Sequence, residues 1–227
     1  MSFVPGFTEL LLNHLKKDER QRILKSIMVT TAPELWLSLE SAALLDINRD
    51  HLGLGGQLDQ RDDYRPSNIS VARSNVPRWL IAAERRKVDI WVEDSYGEQP
   101  STAIEFKVVH NNKNAYYKIW EIRKDLVKQI PRTSPGERIE RWGIVLLSYS
   151  RFYSDQQGNY SYGKFDDCPA FLAAFENGLN DNNEWYAGAP ELELVMQPTR
   201  IADLNDAHYI EPGKGSGVYL ALVRCKA

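Results

Sequence analysis

The sequence has little cysteine and no long apolar run. Its 227 residues include two cysteines, Cys168 and Cys225, which are far apart in the chain. A disulfide scaffold or a cysteine-rich zinc site is therefore not expected, and a reducing compartment is. The longest clean apolar run, Ile144–Leu147, is too short to cross a bilayer, and the N-terminus lacks the pattern of a signal peptide. These absences predict a soluble, cytoplasmic protein without a membrane partner.

Several familiar catalytic motifs are also missing. The glycine-rich segments 53–56 and 213–217 match neither a phosphate-binding loop nor a dinucleotide fingerprint, and no serine lies in a nucleophile elbow. The histidines are scattered without the spacing of metal ligands: His14, His51, His110 and His208. The sequence therefore does not indicate a nucleotide-binding loop, a serine hydrolase or a histidine-rich metal site.

The composition is that of a globular protein with an uneven distribution of charge. Hydrophobic residues make up 43% and charged residues 26% of the chain, and the formal net charge is −3. Residues 73–141 carry 14 basic and 10 acidic side chains, whereas residues 1–72 carry 8 and 10 and residues 142–227 carry 6 and 11. Because a phosphate-binding surface needs local basicity, the middle segment is where such a surface is expected. Ordinary scatter of surface charge would also explain the difference.

The hydrophobic pattern predicts helices and strands in mixed order. One predicted helix begins at Thr31-Ala-Pro-Glu34, a capping box in which Thr31 and Glu34 satisfy each other's free backbone N–H groups. The other predicted helices cover 8–27, 115–130 and 168–178. Predicted strands lie at 69–74, 79–83, 87–93, 102–109, 144–149, 191–196 and 217–224, with a hairpin around 155–159. This order is typical of a mixed α/β layer fold, here a single domain over 1–227.

The strands predicted at 87–93 and 102–109 carry acidic residues that are expected to meet. The turn-rich loop between them predicts an antiparallel hairpin, and symmetry about Gly97 places Asp89 directly opposite Glu105. Since side chains alternate along a strand, Glu105 and Lys107 share one face. The other faces are expected to be apolar, formed by Val88, Ile90 and Val92 in the first strand and by Ile104, Phe106 and Val108 in the second.

Two acids in this position are unfavourable unless something lies between them. Side chains that face each other across a strand pair have β-carbons about 4.5–5.5 Å apart. At that distance two carboxylates repel by about 3 kcal/mol for an effective dielectric constant near 20. A divalent cation with a preference for oxygen ligands, such as Mg²⁺, would remove this cost. Alternatively, the hairpin face is solvated and its acids are spread apart or paired with Lys87.

Asp89, fifteen intervening residues and Glu105-Phe106-Lys107 together resemble the motif of the PD-(D/E)xK nuclease superfamily, which includes type II restriction endonucleases. Val88 stands where the family's name has proline, a departure that many members share. The resemblance covers about residues 34–149, with the helix 8–27 before it and an elaboration over 150–227 after it. It implies a restriction-endonuclease-like fold, a mixed central β-sheet flanked by helices.

The resemblance also implies a role for each residue of the site. Asp89, Glu105 and the backbone carbonyl of Phe106 would ligate Mg²⁺, for which Mn²⁺ could substitute. Lys107 would contact the attacking water or the scissile phosphate.

Two neighbouring helices are expected to contribute further residues. Members of the superfamily often supply an acid from the first helix, and Glu40 is the preferred candidate because the capping box already explains Glu34. The helix that follows the motif often lends a lysine or glutamine, for which Lys124 is preferred, with Gln129 behind it. Alternatively, Glu40 reaches solvent at the helix edge, and Lys124 belongs to a solvated basic face.

These observations leave several functions open. The leading hypothesis is a Mg²⁺-dependent endonuclease that hydrolyses DNA phosphodiester bonds, including the restriction type. The first alternative is a non-catalytic binding or regulatory module on the same fold, which the net acidity suits equally well. A metal-dependent hydrolase acting on RNA or nucleotides is a third. Five basic residues are candidates for a phosphate track, although ordinary surface charge would also explain them: Arg73, Arg78, Arg85, Arg86 and Lys113. Whether the chain is a monomer or a homodimer stays open.

Overall fold

The computed structural model describes most of the chain. The described residues are 2–28, 33–57, 77–128, 130, 136–154, 160–180, 190–204 and 215–226. The strand predicted at 69–74 lies outside them. Within these ranges, no helix combines the length and the apolar character needed to cross a membrane.

Three helices come first along the described chain, and the strands follow with two further helices between them. The helices are α1 (Val4–Leu15), α2 (Asp18–Ile27), α3 (Pro33–Ile47), α4 (Ala115–Val127) and α5 (Cys168–Gly178). The strands are β1 (Trp79–Ala83), β2 (Ile90–Asp94), β3 (Ser101–His110), β4 (Ile139–Tyr149), β5 (Phe152–Ser154), β6 (Tyr160–Tyr162), β7 (Leu192–Asp203) and β8 (Gly217–Cys225). Most of the predicted elements are found, with shifted ends.

A six-stranded mixed sheet forms the centre of the molecule. Its strands follow the order β1-β2-β3-β4-β8-β7, and β5 pairs with β6 in a separate hairpin. Strands β3 and β4 are parallel, whereas the other neighbours in the six-stranded sheet are antiparallel. Parallel neighbours need a crossover connection, which here contains α4. The expected mixed α/β class is therefore confirmed.

Both faces of the central strands are buried. In β4, Ile144 and Leu146 join the core on the side of α1 and α3, whereas Val145 and Leu147 join the core on the side of α4 and α5. A strand buried on both faces is expected to be continuously apolar, which explains the run Ile144–Leu147.

The N-terminal region forms two helices, where the sequence predicted a single helix over 8–27. Helix α1 ends at Leu15, and Lys17 adopts an extended backbone before α2 begins. The Gln21 side chain donates hydrogen bonds to the carbonyls of Leu15 (2.6 Å) and Ile201 (2.8 Å). The break therefore lies in the charged stretch between the apolar parts, where a side-chain amide replaces a helical partner of the Leu15 carbonyl.

Strand β7 forms one edge of the sheet and is irregular. It is 12 residues long and contains Pro198. Its register against β8 shifts between Leu194 and Met196, between Met196 and Thr199, and between Arg200 and Ala202. Such irregularities increase the local twist of a strand.

Candidate active site

The β2–β3 hairpin has the predicted register. Ile90 pairs with Ile104, and Val92 pairs with Thr102, so Asp89 immediately precedes β2 at the position opposite Glu105. Strand β2 begins at Ile90, whereas β3 continues to His110. The second half of β3 therefore extends beyond β2, although it remains paired with β4 on its other side.

On the side of β3 that faces β2, carboxylates accept the backbone N–H groups that lie beyond the start of β2. The Phe106 N–H donates to Asp89 Oδ2 at 2.6 Å, and the Val108 N–H donates to Glu34 Oε1 at 3.0 Å. The Ser38 hydroxyl of α3 donates to the Asp89 carbonyl at 2.9 Å. Because buried backbone donors need partners, these contacts bring two acids to one edge of the sheet.

The predicted shared face of Glu105 and Lys107 lies against the C-terminal part of α4. Lys128 Nζ lies 2.5 Å from Glu105 Oε1, and Lys107 Nζ lies 2.7 Å from Asp125 Oδ2. Lys128 also donates to the Lys87 carbonyl at 3.1 Å. Each charged residue of β3 is thus paired with an opposite charge from the end of the helix.

Burial changes the ionisation of this group. Desolvation raises the pKa of Asp89, although the Phe106 N–H and the charges of Lys107 and Lys128 lower it. Desolvation raises the pKa of Glu105 to about 7; the Lys128 ammonium lowers this pKa, and the Asp89 charge raises it. For Lys107, desolvation lowers the pKa, but the hydrogen bond to Asp125 and nearby carboxylates outweigh it, so the pKa is raised. The site thus favours proton uptake by its acids and a charged Lys107.

The turn that precedes Asp89 has an unusual backbone. Glu84, Arg86 and Lys87 have φ angles of 54°, 56° and 61°. Residues with side chains rarely adopt this region, and clusters of such residues are found at functional sites.

This turn also overturns the predicted apolar face of the first strand. Ile90 and Val92 join the main core as predicted. Val88 instead packs with Trp91 in a separate small cluster. The two-residue alternation fails because the regular strand begins only at Ile90, after the left-handed turn.

Glu40, the acid predicted for the site, contacts residues of α1 and α2. His14 Nε2 lies 2.7 Å and Arg20 Nε lies 3.1 Å from Glu40 Oε1. The acid that α3 brings to β3 is Glu34, which the capping box had explained. Thr31, the other half of that box, lies outside the described residues.

Lys124, the preferred residue of α4, contacts an aromatic ring of its own helix. Lys124 is exposed, and its Nζ lies 5.5 Å from the centre of the Trp120 ring. Lys128, one turn further along, is the lysine that reaches Glu105. Gln129 lies outside the described residues.

Phe106 lies beside Asp89, as its expected role requires. The N–H and the carbonyl of one strand residue point towards the same neighbouring strand. Since the Phe106 N–H reaches Asp89, the Phe106 carbonyl faces the same edge.

The basic residues considered for a phosphate track are largely engaged with acids. Arg78 binds Asp94 at 2.8 Å and Glu98 at 2.6 Å, and Arg86 binds Glu137 at 2.7 Å. A cleft of about 510 Å³ lies near Arg78, at the other end of β3 from Lys107. Asp94 and Glu98 neutralise the Arg78 side chain at this cleft. Lys113 is exposed, and Arg73 lies outside the described residues.

Among the described residues, no group of three or more His, Cys, Asp or Glu side chains is arranged to hold a metal ion.

Comparisons with known proteins do not identify the chain. No family model, curated protein or solved structure matches the chain.

Proposed function

We propose that this protein is a Mg²⁺-dependent nuclease of the PD-(D/E)xK superfamily that hydrolyses DNA phosphodiester bonds. The observation that carries the proposal is the meeting of Asp89 and Glu105 beside Lys107 at the projecting part of β3. Glu105 is only 6% exposed, and burial raises the pKa of both acids. A fold gains little from two desolvated acids next to each other, whereas a bound cation would offset the cost.

The donor set at this position suits Mg²⁺. Mg²⁺ is commonly held by one or two carboxylates together with water and substrate phosphate, so it does not need a complete protein cage. Asp89 and Glu105 would provide the carboxylates, with the Phe106 carbonyl at the same edge. Lys128 Nζ lies 2.5 Å from Glu105 Oε1, so a cation at this carboxylate would take the place of the Lys128 ammonium as its positive partner.

The residues of the chain have distinct roles in this proposal. Bound Mg²⁺ would lower the pKa of a water molecule and offset negative charge on the scissile phosphate. Lys107 Nζ would donate a hydrogen bond to the attacking water or to a phosphate oxygen. Asp125 keeps Lys107 charged and oriented. Lys128 balances the Glu105 charge when no cation does so.

The order of elements also supports the proposal. The resemblance implies an acid-bearing helix, an acidic hairpin, a further helix and a further strand. The chain contains α3 with Glu34, the β2–β3 hairpin, α4 and β4 in this order. The parallel arrangement of β3 and β4 brings the end of α4 to Glu105 and Lys107.

A nicking assay tests the proposal directly. We expect purified protein to nick supercoiled plasmid DNA with Mg²⁺ or Mn²⁺ but not with EDTA. Asp89→Asn, Glu105→Gln and Lys107→Met should each lower the rate at least about 100-fold, because each removes a charge used in the reaction.

Glu193→Gln is the matched control because Glu193 is an exposed acid paired with Arg224, away from the site. It should cleave like the wild type. Circular dichroism would verify that each variant is folded. Full activity of a folded Asp89→Asn or Lys107→Met variant would overturn the assignment.

A second candidate function is a non-catalytic binding module on the same fold. The observation in its favour is that Lys128 and Asp125 already neutralise Glu105 and Lys107 within the chain. Calorimetric titration with Mn²⁺ distinguishes the two candidates. Saturable heat that Glu105→Gln abolishes supports the nuclease, and absence of heat supports the module.

A further inference from the structure

Helix α4 presents large aromatic side chains to solvent. Tyr116 and Tyr117 are 55% and 54% exposed. The other side of α4 is buried against the sheet through Ile119, Ile122 and Leu126. Packing against the sheet therefore accounts for the apolar side of the helix. Outside this side, the Tyr116 ring packs edge-on against Phe165, with ring centres 5.3 Å apart, and Tyr117 faces solvent.

Two lysines lie close to the aromatic rings of this helix. The Tyr117 and Trp120 rings stack with their centres 5.6 Å apart and their planes at 30°. Lys124 Nζ lies 5.5 Å from the centre of the Trp120 ring, and Lys164 Nζ lies 5.7 Å from that of Tyr116. We call Tyr117, Trp120 and Lys124 the α4 stripe.

The α4 stripe leads towards the candidate active site. Its residues and Lys128 are spaced by three, four and four positions, which keeps them on one side of a helix. Lys128 lies 2.5 Å from Glu105. At the rise of an α-helix, the distance along the axis from Tyr117 to Lys128 is about 16 Å.

The surroundings of the stripe are positively charged. Residues 113–128 include five basic side chains and two acidic ones. Among the basic ones, Arg123 is buried and Lys128 is paired with Glu105, whereas Lys113 and Lys124 are exposed. Both acids are bound within the chain, Glu121 by Lys118 and Asp125 by Lys107, each at 2.7 Å. Excess positive charge beside aromatic rings is suited to a polyanion with planar groups.

We propose that the α4 stripe binds single-stranded DNA through base stacking on Tyr117 and Trp120 and phosphate contact with Lys124. The bound strand is then directed towards Glu105. This second step rests on the proposed nuclease function, whereas the binding itself does not.

The chemistry of the stripe favours a single strand over a duplex. In a duplex the faces of the bases are stacked on one another, so only phosphates and groove edges are accessible. In a single strand every base has a free face that can stack on an aromatic side chain, whatever its sequence. The stripe combines both kinds of contact, ring faces and a cation.

Fluorescence anisotropy of the full chain in EDTA, where no cleavage occurs, tests the proposal. Labelled oligothymidine should bind more tightly than a duplex of equal length. Tyr117→Ala and Trp120→Ala should each weaken single-strand binding by about 5–100-fold. Lys124→Gln should lower the slope of log affinity against log salt by about one.

Matched controls separate the stripe from other exposed groups. Tyr96→Ala removes another exposed tyrosine, one that lies 5.1 Å from Arg78, and Lys226→Gln removes an exposed lysine. Both variants should bind oligothymidine like the wild type. Unchanged binding by folded Tyr117→Ala and Trp120→Ala, or equal affinity for duplex, would overturn the proposal. Tighter binding of oligouridine than of oligothymidine would overturn the assignment to DNA.

The same variants separate this inference from the proposed function. If the α4 stripe binds oligothymidine and the wild type does not cleave DNA, the binding surface stands without the nuclease. If Asp89→Asn abolishes cleavage and the stripe variants keep full affinity, the nuclease stands and the stripe is refuted.

Discussion

Glu34 and Glu40 lie on the same helix but have different partners. Glu34 accepts the Val108 N–H of β3, whereas Glu40 binds His14 and Arg20. The Glu34 charge also raises the pKa of Lys107. Only Glu34 therefore affects the charge balance of the candidate site.

Paired substitutions test this difference. Glu34→Gln keeps an oxygen for Val108 but removes the charge, so we expect DNA cleavage to fall about 10-fold or more. Glu40→Gln should keep activity within about twofold and lower the free energy of unfolding by about 1 kcal/mol through weakened contacts with His14 and Arg20. Nicking rates and urea unfolding measure both effects. The reverse pattern would restore Glu40 as the acid of the site.

His110, at the end of β3, gives the protein a pH-dependent contribution to stability. Burial, together with the Lys118 charge, lowers the pKa of His110 to about 4. Between about pH 4 and pH 6.5 the unfolded chain therefore binds a proton that the folded chain does not, and stability falls on acidification. The raised pKa of Glu105 acts in the opposite direction over much of this range, so the pH dependence of the wild type does not isolate the histidine.

Urea unfolding of His110→Gln at pH 7 and pH 5 isolates the histidine. On going to pH 5, the variant should gain about 2 kcal/mol relative to the wild type, because it no longer carries the histidine penalty. For Glu105→Gln we expect the opposite effect: on going from pH 7 to pH 5, this variant should lose stability relative to the wild type, because it lacks the carboxyl with the raised pKa. A His110→Gln difference that does not change with pH would contradict the lowered pKa of His110.

At the scale of elements, Asn111 joins β3 to two other segments. Its fully buried side chain donates to the carbonyls of Ser150 (3.0 Å) and Phe165 (2.9 Å) and accepts from the Phe165 N–H (2.8 Å). It thereby connects the start of the β3–α4 connection to the end of β4 and to the segment before α5.

Asn111→Ala should lower the free energy of unfolding by about 3 kcal/mol, since it leaves buried donors and acceptors of other segments without partners. Asn48→Ala is a suitable control because Asn48 makes a local bond to the Leu44 carbonyl, and it should cost less than about 1 kcal/mol. Chemical denaturation compares them. Equal losses would show that Asn111 has no special connecting role.

The elements also show what sequence reasoning could and could not find. The hairpin register was predictable because the loop around Gly97 leaves few ways to pair two short strands. Glu34 was missed because a capping box is visible in sequence, whereas the need of the Val108 N–H for a partner appears only once β2 is seen to begin at Ile90. Lys124 and Lys128 share a helical face, so periodicity could not show which of them meets Glu105. The break before Asp18 depends on Gln21 reaching a distant strand.

At the scale of the whole molecule, a bound cation should stabilise the fold. The candidate site joins α3, β2, β3 and the end of α4, so a ligand there would hold these elements together. A ligand that binds only the folded state at 100 times its dissociation constant adds about 2.7 kcal/mol.

Thermal melting therefore provides a test without catalysis. Millimolar Mg²⁺ should raise the Tm of the wild type by several degrees, and EDTA should reverse the effect. Asp89→Asn and Glu105→Gln should lose this increase, whereas Glu193→Gln should keep it. A Tm that Mg²⁺ does not change would favour the non-catalytic alternative.

The irregular β7 strand limits how two copies of the chain could associate. A row of unpaired backbone donors and acceptors at a sheet edge can template the addition of another strand. On β7 this row is interrupted, because Pro198 has no N–H and the three register shifts twist the backbone out of alignment. A continuous twelve-stranded sheet built through this edge is therefore disfavoured.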